Sequence, residues 1–265
     1  MRYMIMLSYC GKAFHGWQIQ PSAPSIQEAL ETALRTLLRH DIAVTGAGRT
    51  DAGVNAVGYI AHFDAPEALD AKRLVCKLNA ILPDGIAVIS IRPSDGEFHA
   101  RFDASQREYT YFLHRTKDPF VAGFSYLYTY PHLDFDRMNR AAALLKGTHD
   151  FSCFEKTGSD VKTSVCTVSR ALWKPYIPVI STFGIETGGE NLYWEFQISA
   201  DRFLRNMVRA VVGTLLEVGR GKRSEDDFAS LILAPDSGRE RCSRRCSAGE
   251  SVPGHALFLS SVDYE

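Results

Sequence analysis

Apolar and polar residues alternate through positions 2–9, which predicts an opening strand. A Pro/Ser stretch at 20–24 then resets the pattern. Ser25 is a candidate helix N-cap, and Glu28 stands three residues on, the spacing of a capping box. Ile26, Leu30, Ala33, Leu34, Leu37 and Leu38 recur at helical spacing and form a core stripe. Strands are predicted at 42–45 and 59–63. A second helix opens at Asp70, carries Leu74, Leu78 and Leu82 on one face, and stops at Pro83. Strands follow at 86–91 and 108–114.

The second half repeats this alternation of elements. A helix is predicted over 136–145 with Met138, Ala142 and Leu145 inward. Strands are predicted at 165–173 and 192–198, with a polar turn at 185–191. The longest helix of this half is expected over 202–218, burying Phe203, Met207, Ala210, Val211, Thr214, Leu215 and Val218. A short helix at 226–233 and a strand at 256–263 close the chain. Similar content on both sides of a short junction predicts two α+β domains, 1–105 and 106–265.

Composition narrows the class. The 265 residues are 45% hydrophobic and 23% charged, the balance of a globular chain with a large core. The apolar start is too short for a membrane span and lacks a cleavage pattern, so a cytoplasmic protein is expected. Most of the six cysteines stand singly among apolar residues, as at Val75-Cys76 and Val165-Cys166, and are expected as reduced core thiols. Cys242 and Cys246, with His255 beyond, offer too few ligands for a zinc site, so no metal is expected. Thirty basic against 31 acidic residues give a net charge of -1, which does not by itself point to nucleic acid.

Three segments carry candidate chemistry. In Gly46-Ala47-Gly48-Arg49-Thr50-Asp51-Ala52-Gly53 the glycines allow an unusual backbone path around one carboxylate, Asp51, and one cation, Arg49. The spacing fits neither a dinucleotide fingerprint nor a P-loop. A functional carboxylate and a glycine turn with a local Arg–Asp pair are both open here. In the second segment, Arg107, Tyr109 and Tyr111 share one face of a strand. That face suits base stacking and phosphate pairing, and equally an edge strand with aromatic packing. In the third, Arg202, Arg205 and Arg209 fall at i, i+3 and i+7, on one side of the expected helix.

Several motifs in order now match a known family. They are Ser25-Ile26-Gln27-Glu28-Ala29-Leu30, Gly48-Arg49-Thr50-Asp51-Ala52-Gly53-Val54, Asn79-Ala80-Ile81-Leu82-Pro83 and Phe98-His99-Ala100-Arg101-Phe102. They continue in Arg107-Glu108-Tyr109-Thr110-Tyr111, Gly147-Thr148-His149-Asp150-Phe151, Met207-Val208-Arg209 and Leu257-Phe258-Leu259. Nearly the whole chain resembles the bacterial tRNA pseudouridine synthase A family. The resemblance implies an α+β fold of two pseudo-twofold halves, whose mostly antiparallel sheets join across a central RNA-binding cleft. It implies a cofactor-free homodimer that converts uridine to pseudouridine at positions 38–40 of the tRNA anticodon stem-loop. Asp51 takes the place of the catalytic aspartate. Arg209 takes that of the cation beside it, Tyr109 that of the residue packing on the target base, and Arg49 that of the group filling the emptied stack. Arg107 and Leu257 join the expected substrate-binding set. A non-catalytic tRNA-binding protein on the same scaffold is the alternative, though pure binding gains nothing from a carboxylate facing RNA. A hydrolase is weaker, lacking a second carboxylate in a shared motif. Two positions depart from the family pattern. Asn55 stands where Gly-Val-His is usual, and Ala256 where Gly precedes Leu.

The resemblance changes the meaning of the neutral total. Arg202, Arg205, Arg209, Arg220, Lys222 and Arg223 face only Glu217 along the sequence, and Arg239, Arg241, Arg244 and Arg245 only Glu240. A basic surface around Asp51, and tRNA binding that weakens with salt, are therefore expected.

Overall fold

A computed structural model describes residues 1–156, 163–180, 191–232 and 248–264. The run from Arg239 to Ser247 with its two cysteines, and residues 185–190 of the expected polar turn, lie outside these. The α+β class with mostly antiparallel strands holds. The chain forms two compact units, Met1–Arg107 with the C-terminal strand, and Glu108–Leu257.

The first unit is built on β1 (Arg2–Tyr9), which pairs antiparallel with β3 (Asn55–Asp64) on one side and β4 (Ile86–Pro93) on the other. Every second residue of β1 is buried, as the alternation predicts. At its far end β3 also pairs with β2 (Val44–Gly46), Gly46 opposite Ala61. Its first residues pair in parallel with β10 (Leu257–Tyr264), Phe258 opposite Asn55. Two helices cover this sheet, α1 (Ile26–Leu38) and α2 (Ala71–Ile81). Ser25 Oγ accepts the Glu28 N–H at 3.3 Å and Asp70 Oδ1 that of Arg73 at 3.1 Å, so both helices begin where their caps stand. Asn79 clips α2 to β4, donating to Val88 O at 2.8 Å and accepting from Val88 N at 2.7 Å. Cys76 proves to be exposed on α2 rather than buried in the core.

In the second unit β8 (Val165–Pro175) lies between β7 (Gly147–Asp150) and β9 (Tyr193–Ala200), all antiparallel. β5 (Ala104–His114) carries the chain from one unit into the other and neighbours β9. The two-residue β6 (Tyr126–Leu127) pairs in parallel with its end. α3 (Phe135–Ala143) packs against β8, and α4 (Met207–Gly219) and the short α5 (Glu225–Ala229) pack on α3; α5 starts in a complete Ser224–Asp227 capping box. Cys166 is buried, and burial pushes its thiol up to about 12, so it stays protonated.

The long helix corrects the sequence reading. It begins at Met207, not at residue 202. Asn206 sits at φ 64°, in the left-handed region, and its side chain donates to Ser251 Oγ at 2.6 Å. Arg202 and Arg205 therefore precede the helix, and the expected three-arginine stripe is not a helix face. α4 is buried almost all round, with only Arg209 and Glu217 part-exposed. Lys222 and Arg223 both pair with Glu217, at 3.1 and 2.9 Å. That single carboxylate holds two of the cations counted along the sequence.

Candidate active site

The segment around Asp51 is the eight-residue connection, 47–54, from β2 to β3. Its ends are fixed by the sheet, since Ala47 N–H donates to Ile60 O at 2.9 Å just beyond the β2–β3 pairing. Between them the chain is held from behind by the stretch after β1. Trp17 N–H donates to Thr50 O at 3.2 Å, Gly53 N–H donates to Phe14 O at 3.4 Å, and Tyr9 Oη and Thr50 Oγ1 share a hydrogen bond at 2.8 Å. The Tyr59 hydroxyl donates to Gly48 O, while its ring stacks on Trp17 with centroids 4.1 Å apart.

This approach needs glycine at two positions of the floor. A Cβ on Gly11 would stand 2.2 Å from Val54 O. Gly16 is at φ +96°, and a Cβ there would stand 2.4 Å from Thr50 O and 3.2 Å from the Asp51 carbonyl carbon. The loop thus lies with its backbone pressed onto glycines of another segment. The result is a supported loop whose Ala47, Thr50 and Val54 are buried. Arg49 is exposed and Asp51 half-exposed.

Arg107 contributes from β5. Its guanidinium donates to Ala104 O at 2.7 Å, to Ala47 O at 3.2 Å and to Arg101 O at 2.6 Å. One side chain therefore ties the Asp51 loop to the 99–103 turn. The fork geometry of arginine allows this, whereas a lysine is a point charge.

The remaining expected site residues belong to the second unit. Tyr109 is half-exposed on β5 and meets Phe203 edge-on, centroids 5.1 Å apart at 89°. Arg209, on the first turns of α4, donates through Nε to Val252 O at 2.7 Å, and Val252 N–H returns to Arg209 O at 3.3 Å. Tyr111 is buried beside them with its hydroxyl on Pro253 O at 3.1 Å, and burial pushes that phenol up, keeping it protonated. Leu257 is buried at the start of β10.

With this arrangement in view, the comparisons with known proteins decide the family. A family model described as tRNA pseudouridine synthase matches residues 141–265. The tRNA pseudouridine synthase A of Bacteroides thetaiotaomicron is 48% identical over 263 residues, covering 99% of this chain and 90% of that protein. That of Bacillus subtilis is 38% identical over 268 residues and covers 100% of both. The chain belongs to the tRNA pseudouridine synthase A family.

In this member of the tRNA pseudouridine synthase A family, Asn55 has a structural use. The residue is 2% exposed, and its Oδ1 accepts the Gly11 N–H at 2.9 Å. It fastens the end of the Asp51 loop to the floor. The sequence reading missed the floor itself: Tyr9, Gly11, Gly16, Trp17 and Tyr59. The available signal was the pair of isolated glycines among aromatics just after the first strand.

Proposed function

We propose that this chain converts uridine to pseudouridine at positions 38–40 of the tRNA anticodon stem-loop, with Asp51 as the group that starts the exchange. Pseudouridine formation in tRNA, an isomerisation, follows from the family. The observation that carries it is the support of Asp51: a half-exposed carboxylate on a loop whose backbone is immobilised on glycines, beside an exposed arginine.

The chemistry asks little of the protein. The bond from ribose C1′ to N1 of the uracil breaks, the ring turns, and C1′ bonds to C5, whose proton then leaves while the freed N1 takes one up. No atom is gained or lost overall. Asp51 acts at C1′ as a nucleophile or at C2′ as a base, and in either case rate depends on its placement. Tyr109 packs against the turned-out base and Arg209 supplies a cation to the reacting region. Arg49 occupies the place left in the RNA stack, offsetting an unstacking cost of a few kcal/mol. Arg107 enters as a positioning residue, since its guanidinium holds the loop. A homodimer in the cytoplasm completes the reading, and no described helix is long and apolar enough to cross a membrane.

Unmodified tRNA transcripts incubated with the protein and mapped by carbodiimide adducts and primer extension test this. Stops reporting pseudouridine at positions 38, 39 or 40 are expected. Modification only elsewhere contradicts the positions, and tightly bound but unmodified tRNA supports a binding protein instead.

A further inference from the structure

The 99–103 turn presents an aromatic ring outside the core. Phe102 is 74% exposed. Its ring lies against His99, centroids 4.3 Å apart, and the Arg101 guanidinium carbon stands 5.6 Å from its centroid. An isolated exposed apolar residue is ordinary on a mobile loop. This turn, however, is fastened throughout its length. Ala100 N–H donates to the buried His62 Nδ1 at 3.1 Å, and the Tyr264 hydroxyl to Ala100 O at 2.7 Å. His99 N–H donates to Asp103 Oδ2 at 2.7 Å, which turns that carboxylate back onto the turn. Arg107 binds Arg101 O and, with the same guanidinium, Ala47 O of the Asp51 loop.

We infer that Phe102 and Arg101 form an accessory stacking site for an unpaired nucleobase of the tRNA, distinct from the position of the target uridine. A ring carried on a fastened turn offers a base its face at reduced entropic cost, and the neighbouring guanidinium meets the phosphate of the same nucleotide. Single-stranded RNA is recognised in this way because every base has a stacking face. Arg49 and Arg101 are both exposed cations of this unit, and Arg107 couples the two segments that carry them. The inference rests on the tRNA-modifying reading above and adds a second contact to it.

The test measures tRNA affinity, with Asp51 intact, for wild type, Phe102→Ala, Phe102→Trp and Arg101→Gln. Because the ring is exposed, Phe102→Ala is expected to melt as wild type does while its Kd rises about 10-fold, the size of one lost base stack. Phe102→Trp is expected to restore affinity. Arg101→Gln is expected to lower the slope of log K against log salt by roughly 0.7, one phosphate contact on a single strand. Unchanged Kd in Phe102→Ala overturns the inference while wild-type modification keeps the functional reading. A changed oligomeric state with unchanged Kd also overturns it, assigning the ring to a protein contact. Failure of wild type to bind tRNA at all overturns both.

Discussion

The floor beneath Asp51 makes a sharp prediction about two glycines. Gly16→Ala places a Cβ at φ +96°, which costs about 1–3 kcal/mol in backbone strain. The same Cβ would lie 2.4 Å from Thr50 O, a backbone atom that cannot swing aside. Relieving that overlap shifts the loop at a further cost of about 1–3 kcal/mol. The sum, ~2–6 kcal/mol, lowers Tm by roughly 4–24 °C for a chain of this size. Because the displaced atoms include the Asp51 carbonyl carbon, the carboxylate moves with them, and a shift near 1 Å costs on the order of 100-fold in rate. Gly48→Ala is the control. Gly48 lies within the loop, three residues from Asp51, yet its Cβ would meet nothing within 4 Å and its φ is not positive. Its Tm is expected within about 2 °C of wild type. Thermal melts and pseudouridine formation on both variants check the argument. A Gly16→Ala protein that melts and works as wild type refutes it, as does a Gly48→Ala protein that loses as much stability.

Three further outcomes follow from particular side chains. Burial pushes His62 and His114 below the ordinary imidazole value of 6.5, so the unfolded chain binds protons that the folded chain refuses. The stability they support is complete above about pH 6.5 and is lost as pH falls through the folded values; urea midpoints at pH 7.5 and 5.5 should drop for wild type and drop less for His62→Gln. Asn79→Ala strands both backbone groups of Val88 on their α2 side and should cost about 2 kcal/mol in urea unfolding, against no loss if the clip is dispensable. Arg107→Lys keeps the charge but not the three-carbonyl fork, so modification rate should fall more than 10-fold while the salt slope of tRNA binding stays the same; a reduced slope would make Arg107 a phosphate contact instead.

The elements best marked in the sequence are those whose signal is local. α1 and α2 each bury one stripe and start at a side-chain cap, and the pattern places both. α4 is different. Phe203 and Leu204 continue its apolar spacing backwards, so the pattern runs on to residue 202. The break comes from Asn206 in a left-handed conformation, held by Ser251 from 45 residues away. No window of local sequence contains that partner. The return of β10 to pair with Asn55 and Ala56 is hidden for the same reason.

At the site, the glycines and the Arg49–Asp51 pair announce the loop. What fixes the loop does not announce itself. Gly11 and Gly16 matter through contacts with residues 50–54, reached only once β1 and β3 are side by side. The alternation correctly groups Arg107, Tyr109 and Tyr111 on one strand, but not their neighbours. Arg107 is spent on three carbonyls, Tyr111 is buried on Pro253, and Tyr109 remains half-exposed beside Phe203.

The central claim is that Asp51 does chemistry on tRNA uridine. Tritium release from tRNA labelled at uracil C5 measures this directly, because that hydrogen leaves only when C1′ has bonded to C5. Wild type should release tritium, and Asp51→Ala should release none above background while still binding tRNA. Release by Asp51→Ala at a rate near wild type, or no release by wild type, would contradict the account.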